Sequence, residues 1–442
     1  MISYDNQCAF KLDGFEGKLR DGYAINNYGI DPLLDMKYVS PVNQGRFETI
    51  GQLETGVSLI QATQKNVEKI SFWLQEIGNF IHDINGSRTP ATVPKSVINK
   101  YIGDRLALVE DLASNASFQG RKLLNGDCGI KAEVIGENLR FVRGSARVLS
   151  SQESGYAVAV YQAPKPSILT GHSQLMQNEI DREELIYLSD DIQEIKYKIK
   201  KDETAESLVK HLREFLLDQN LDIEVFRTGD NRLFFRHNQL GSKIRFRGMS
   251  YKTRIISSHP GQYEFSMPGV DIAGTIGSES AHGDGGFLVG DRNNKHTDGL
   301  VFFYDGAVDY PGQVVGHVHV KQNGITVPLE PSCKTVEMLS IPSIKPELLA
   351  VGLTTRSGFS DLASINTDNE TEQKDALKMV LWSIVYLDYL SKELKQKEND
   401  YVNRTIQLLK GSMVNSSVRE DEFYLSKEKA GAMVEQIKEM LG

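Results

Sequence analysis

Apolar residues return every seven positions between residues 53 and 81. Leu53, Ile60, Val67, Leu74 and Ile81 form one row, and Ile70, Ile77 and Ile84 sit three places after the last three. Two such rows wind along one side of a helix, so the pattern predicts a helix over 50–84 whose seam needs helical partners. Asn85-Gly86 supplies its stop, and Pro90 and Pro94 keep the chain extended until a second helix begins near Lys95-Ser96. That helix runs to about Ala113 with Ile98, Ile102, Val109 and Leu112 on one side.

Beyond it the period drops to two. "KAEVIG", "LRFVRG" and "YAVAVYQA" within 131–163 read as short strands. Residues 166–200 read as charged helix, and 204–217 as a helix with Leu208, Leu212 and Phe215 inward. Residues 222–238 form a hairpin around Thr228-Gly229-Asp230-Asn231, and "SKIRFRG", "QYEFSM", "GLVFFYDG" and "GHVHVKQNGITVPL" add β-structure. Helix returns over 371–413, with Leu387, Leu394 and Ile406 among its apolar positions, and again over about 418–441.

The expected fold class is therefore α+β. Long helices from the N- and C-terminal regions pack as an antiparallel rod, because neither buries its seam alone, and a β-rich outer part is inserted between them. The expected domains are an irregular segment at 1–48, a helical rod with β-hairpins at 49–165 and 345–442, and inserted α/β outer domains at 166–344.

Composition narrows the function classes. A chain of 442 residues exceeds one compact core. A net charge of −9 disfavours general nucleic-acid binding, which needs a basic face. The best candidate span, "MVLWSIVYLDYL" at 379–390, is short and holds Asp388, so no membrane insertion is expected. The N-terminus lacks the apolar core of a cleaved secretion signal. Cys8, Cys128 and Cys333 form neither a metal pair nor a disulfide framework and read as thiols.

Several ordered blocks resemble bacterial flagellin. "ETGVSLIQATQKNVEKISFWLQEI" at 54–77 is similar to the first long helix of the flagellin rod. "DRLALVEDLASNASFQGRKLLNGD" at 104–127 is similar to the second helix and the turn after it. "ALKMVLWSIVYLDYLSKELKQKENDYVNRTIQLLKGSMVNSSVREDEF" at 376–423 resembles the returning rod helix. In the middle, 204–246 resembles a module of hook, hook-associated and flagellin outer domains, and 269–306 is similar to a stretch of filament-cap proteins and some flagellins. Where the family has terminal filament-core helices, this chain has the Gly/Asn-rich residues 1–48 and the end "MVEQIKEMLG", so those core helices are expected to be missing or replaced.

The resemblance implies a structural flagellar subunit or paralogue, extracellular and exported without a cleaved signal. It implies no enzyme activity and no cofactor, and partners among other flagellin-like subunits, flagellar proteins and an export chaperone. A hook–filament junction or cap-like protein is the second reading. An enzyme or ligand-binding domain on the same scaffold is the third. Rod packing is assigned to Ile60, Val67, Leu74, Ile81, Leu387, Leu394, Arg404 and Ile406. The joint between rod and β-structure is assigned to Phe118, Gly120, Leu123 and Leu124, with Phe118 and at least one leucine expected to be mostly buried. Trp73 and Trp382, one in each rod helix, are expected to pack between them.

Residues with possible chemistry are few. "HGDGG" at 282–286 is followed by no helix start, so it reads as a turn-rich loop and not a phosphate cradle. His317-x-His319 has metal-site spacing, with His237, His282 or His296 as third ligands to choose among, although ordinary strand histidines are the simpler reading. Asp190-Asp191 and Glu420-Asp421-Glu422 read as solvated acids, and no G-x-S-x-G elbow occurs.

Overall fold

The computed structural model describes residues 41–85, 94–190, 193–201 and 203–414. Helix α1 (Pro41–Asn85) starts earlier than the seam predicts, so residues 41–48, expected to be irregular, are helical. Helix α2 (Lys95–Asn115) follows. Strands β1 (Ser117–Phe118), β2 (Arg121–Lys122), β3 (Ile130–Ile135), β4 (Leu139–Arg143), β5 (Tyr156–Gln162) and β6 (Pro166–Thr170) come next. A single helical turn, α3 (Gln177–Ile180), precedes β7 (Leu185–Ser189) and β8 (Glu194–Lys198).

The expected helix over 166–200 is instead three strands and one helical turn joined by loops. The charges there alternate with Ile186 and Leu188, then with Ile195, Tyr197 and Ile199, all buried, so a period of two outweighs the helix-forming composition.

Helix α4 (Ala205–Asp218) is capped by Thr204, whose Oγ1 accepts from the Ser207 amide at 3.2 Å while Ser207 Oγ accepts from the Thr204 amide at 2.8 Å. The strands continue with β9 (Ile223–Arg227), β10 (Leu233–Leu240), β11 (Arg247–Ser250), β12 (Glu264–Phe265), β13 (Ala273–Ile276), β14 (Glu279–Asp284) and β15 (Phe287–Gly290). The last are β16 (Val301–Tyr304), β17 (Gln313–Gln322), β18 (Ile325–Pro328) and β19 (Val336–Leu339), before helix α5 (Glu370–Val414). The expected helix at 418–441 and the segment 1–40 lie outside the described residues. The fold is mixed helix and sheet, α+β.

The chain divides into two compact units. One comprises residues up to Lys65, Ile325–Leu339 and residues from Tyr389; the other comprises Asn66–Gly324 and Ser340–Asp388. The first joins segments of α1 and α5 to the β18–β19 hairpin.

The second unit holds two β systems. Eight antiparallel strands run in the order β3-β17-β5-β13-β14-β15-β16-β4, so strands on both sides of residue 165 share one sheet. Its end strands β3 and β4 are consecutive in the chain. Val158, Val160, Leu288, Leu300, Phe302 and Val318 fill its core, each fully buried. Between β5 and β13 the chain makes a lobe from a three-stranded sheet, β6-β10-β9, and a four-stranded one, β12-β11-β7-β8. Leu208, Leu212 and Leu216 of α4 enter its core beside Val225, Phe235 and Leu188, while Phe215 is only partly buried. The lobe is tied to residues before and within α5. Arg356 donates to the carbonyls of Leu221 (2.7 Å) and Ile223 (2.9 Å), and Lys378 pairs with Asp222 at 2.6 Å.

Candidate functional site

In the first unit the α1 and α5 segments run past each other in opposite directions. Gly56 lies against the ring of Tyr401, Gln61 Nε2 donates to Glu398 Oε1 at 2.9 Å, and Gln64 reaches the Ser391 carbonyl. Leu53 and Ile60 are fully buried, as is Thr63, whose hydroxyl donates to the Leu59 carbonyl at 2.8 Å. Gly56 and Thr63 therefore extend the second seam row backwards from Ile70 with a small and a polar residue. On α5 this unit's buried row is Leu394, Tyr401 and Leu408, seven apart, with Leu390 beside it; Leu387, of the second unit, is also buried.

Two polar groups lie within this seam, of which Glu398 stands outside the apolar pattern. Glu398 is 1% exposed, and Lys395 Nζ donates to its second oxygen at 3.0 Å. Burial pushes the Tyr401 phenol far above its usual range, with neighbouring Glu337 adding to the shift. Lys397 pairs with that same Glu337 on β19. Arg404 is half-buried and donates through Nε to the Leu329 carbonyl, so it serves this unit's own hairpin; Ile406 is also half-buried.

In the second unit Val67, Ile70, Leu74, Ile77 and Ile81 are buried, and Gly78 lies against Val380. These seam side chains are enclosed within the chain and leave other faces of the helices exposed. One such face is on α5, where Leu381, Trp382 and Val385 are 51%, 53% and 66% exposed. Trp382 therefore does not pack between helices as expected. Trp73 is half-buried, edge-on to the exposed Phe72 with ring centroids 5.2 Å apart.

After α2 the chain makes a two-residue hairpin between β1 and β2. Gln119 (φ 48) and Gly120 (φ 80) both take the left-handed conformation, the signature of a type I′ turn. Leu123 and Leu124 are fully buried, and Phe118 is partly buried. The backbone then locks onto the stretch before α5: Ile344 donates to the Leu124 carbonyl at 3.0 Å and Ile341 to the Cys128 carbonyl at 2.7 Å. Cys128 is buried, and its thiol is pushed up to about 11 by that burial.

Candidate chemistry disperses into local structure. Each histidine of interest has its own neighbour: His282 meets Asp291 at 2.7 Å, His296 meets Glu279 at 3.0 Å, and buried His237 accepts from the Gln239 amide. His317 and His319 stand on β17 opposite Ile135 and Glu133. Among the described residues no three metal-ligating side chains converge. "HGDGG" is the β14–β15 turn. A Cβ at Gly283 would lie 1.7 Å from the Ile272 carbonyl oxygen, so its glycine serves a close backbone approach. Asp190 accepts from the Gln193 amide at 2.7 Å, closing the β7–β8 turn; Asp191 lies outside the described residues.

No family model matches the sequence, and no curated protein matches it either. Among solved structures, the D1-D2-D3 domains of the flagellar cap protein FliD from Escherichia coli align at 10% identity and TM-score 0.29, over 44% of this chain and 60% of that one. FliC from Burkholderia pseudomallei aligns at 12% identity and TM-score 0.26, over 78% of this chain and 99% of that one. FlgL from Xanthomonas campestris aligns at 8% identity and TM-score 0.24, over 87% and 98%. These neighbours are flagellar proteins. TM-scores this low do not establish a common fold.

Proposed function

We propose that this chain is a structural component of the bacterial flagellum, a flagellin-like subunit or paralogue that acts by assembly and has no catalytic role. The observation that carries the reading is the order of the three resembling blocks, at 54–77, 104–127 and 376–423, one at each of α1, α2 and α5. The seven-residue seams in α1 and α5 are buried, as a stiff helical body requires. In this reading α1 and α5 form an antiparallel rod, the β-rich middle is the outer part, and the protein works outside the cell.

Exposed Leu381, Trp382 and Val385 offer an apolar face on which a neighbouring subunit would dock. A few-copy junction or cap-like role is the second reading, since 204–246 and 269–306 resemble modules found in hook-associated and cap proteins as well as in flagellins. Negative-stain microscopy and light scattering, on the chain alone and mixed with flagellins of the same organism, separate the two. Filaments or co-assembly support the subunit reading, a small closed oligomer supports the junction, and a strict monomer that joins nothing overturns both.

A further inference from the structure

Strand β8 ends the four-stranded sheet of the lobe. The Ile199 amide donates to the Glu184 carbonyl and the Asp190 amide to the Gln193 carbonyl, which fixes the parity of its ladder to β7. Residues 193, 195, 197 and 199 turn their backbone groups toward β7, and residues 194, 196 and 198 turn theirs away from the sheet. No described residue bonds to the backbone of Lys196 or Lys198; the open stretch ends where the Lys200 amide donates to Glu203 at 3.1 Å. Beside this edge lies a hollow of about 300 Å³, lined by Lys196, Lys198 and Lys200 and, from α4, by His211, Phe215 and Asp218.

The geometry points to β8 as a docking edge for an extended peptide segment of a partner protein, with acidic residues at alternate positions and apolar residues between them. A strand added here places every second side chain directly opposite Lys196 and Lys198 on the exposed face. Lys198 is held on that face by Glu183 at 3.0 Å, and Lys196 lies over the Tyr187 ring. The intervening side chains of the added strand turn toward Phe215, where Glu214 and Asp218 repel acids and favour apolar groups. This edge is separate from the apolar face of α5, and the inference stands apart from the flagellar reading.

The test uses the full chain and a fluorescent blocked hexapeptide of alternating Glu and Val, read by anisotropy at low salt. The expected result is binding that weakens about tenfold or more with a Lys-Val peptide and with a Glu-Val peptide N-methylated at alternate residues. Lys196→Pro removes an outward N–H without touching the ladder and should weaken binding similarly. The double variant Lys196→Glu/Lys198→Glu should switch preference to the Lys-Val peptide. If Lys196→Pro misfolds, the N-methylated peptide on the unaltered chain decides. Failure of the Glu-Val peptide to bind overturns the proposal. So does binding that survives N-methylation, which would mean a charge patch alone. Self-association abolished by Lys196→Pro would also overturn it, making a second copy the occupant.

Discussion

Tyr401 lies so close to Gly56 that a Cβ built on the glycine would sit 3.1 Å from two of its ring carbons. The missing side chain makes room for a phenol that is 1% exposed. Gly56→Leu should therefore destabilise by about 1–3 kcal/mol through overpacking, although leucine is the better helix former. Tyr401→Ala should cost about 3–5 kcal/mol through the cavity it leaves. Urea unfolding measures both, and a Gly56→Leu variant as stable as the parent would mean the ring has space to move.

The uncovered apolar face of α5 gives the opposite expectation. Val385→Asp and Trp382→Asp should change stability by less than about 0.5 kcal/mol, because both side chains are more than half exposed. They should nevertheless abolish any filament or co-assembly seen by light scattering. A matching loss of thermal stability would place these residues in the chain's own core.

Cysteine reactivity offers a check on the joint after α2. With its thiol held near 11, Cys128 has almost no thiolate at pH 8 and no solvent path. Iodoacetamide mapping by mass spectrometry should leave it unmodified in the native protein and modify it once denaturant is added. Rapid native labelling would show that the stretch locked to residues 341–344 opens readily.

Acid should loosen the β15–β16 connection. The carboxyl of Asp298 is held below its usual 3.8, chiefly by the Arg147 guanidinium, with the Asn293 amide adding to it. A folded-state value below the unfolded one gives stability that is present above about pH 4 and disappears as pH falls through the lower value. Because Arg147 is 65% exposed, solvent screening limits the contribution to about 1 kcal/mol. Asp298→Asn should lower stability at pH 7 by that amount and by less near pH 2. An equal deficit at both pH values would show that the loss is not a charge effect.

The row Leu53–Ile81 was readable because a seven-residue repeat over several turns admits one helical face. The turn at Gly120 was readable because so few residues adopt its backbone conformation. Residues 185–199 were not, because Lys and Glu favour helix locally while the alternating Ile186, Leu188, Ile195 and Tyr197 are selected by a sheet formed only when distant β11 arrives. Glu398 and Gln61 were missed for a related reason. A charge inside an apolar row reads as a surface residue until its partner on the facing helix is known. The β8 edge was equally invisible, since no local pattern states which strand will finish a sheet without a neighbour.

Lys165 and Val270 exchange two backbone hydrogen bonds, at 2.8 and 2.9 Å, where the chain leaves the eight-stranded sheet for the lobe and where it returns. About a hundred residues thus leave and rejoin the sheet through one closed neck, with Arg356 and Lys378 as further ties to the lobe. Such an arrangement makes the lobe a cassette: its loss, enlargement or exchange alters one loop of the host sheet and leaves every other strand pairing intact. Variation in what this protein presents to its surroundings can accumulate there while the helices that carry the seams keep their sequence.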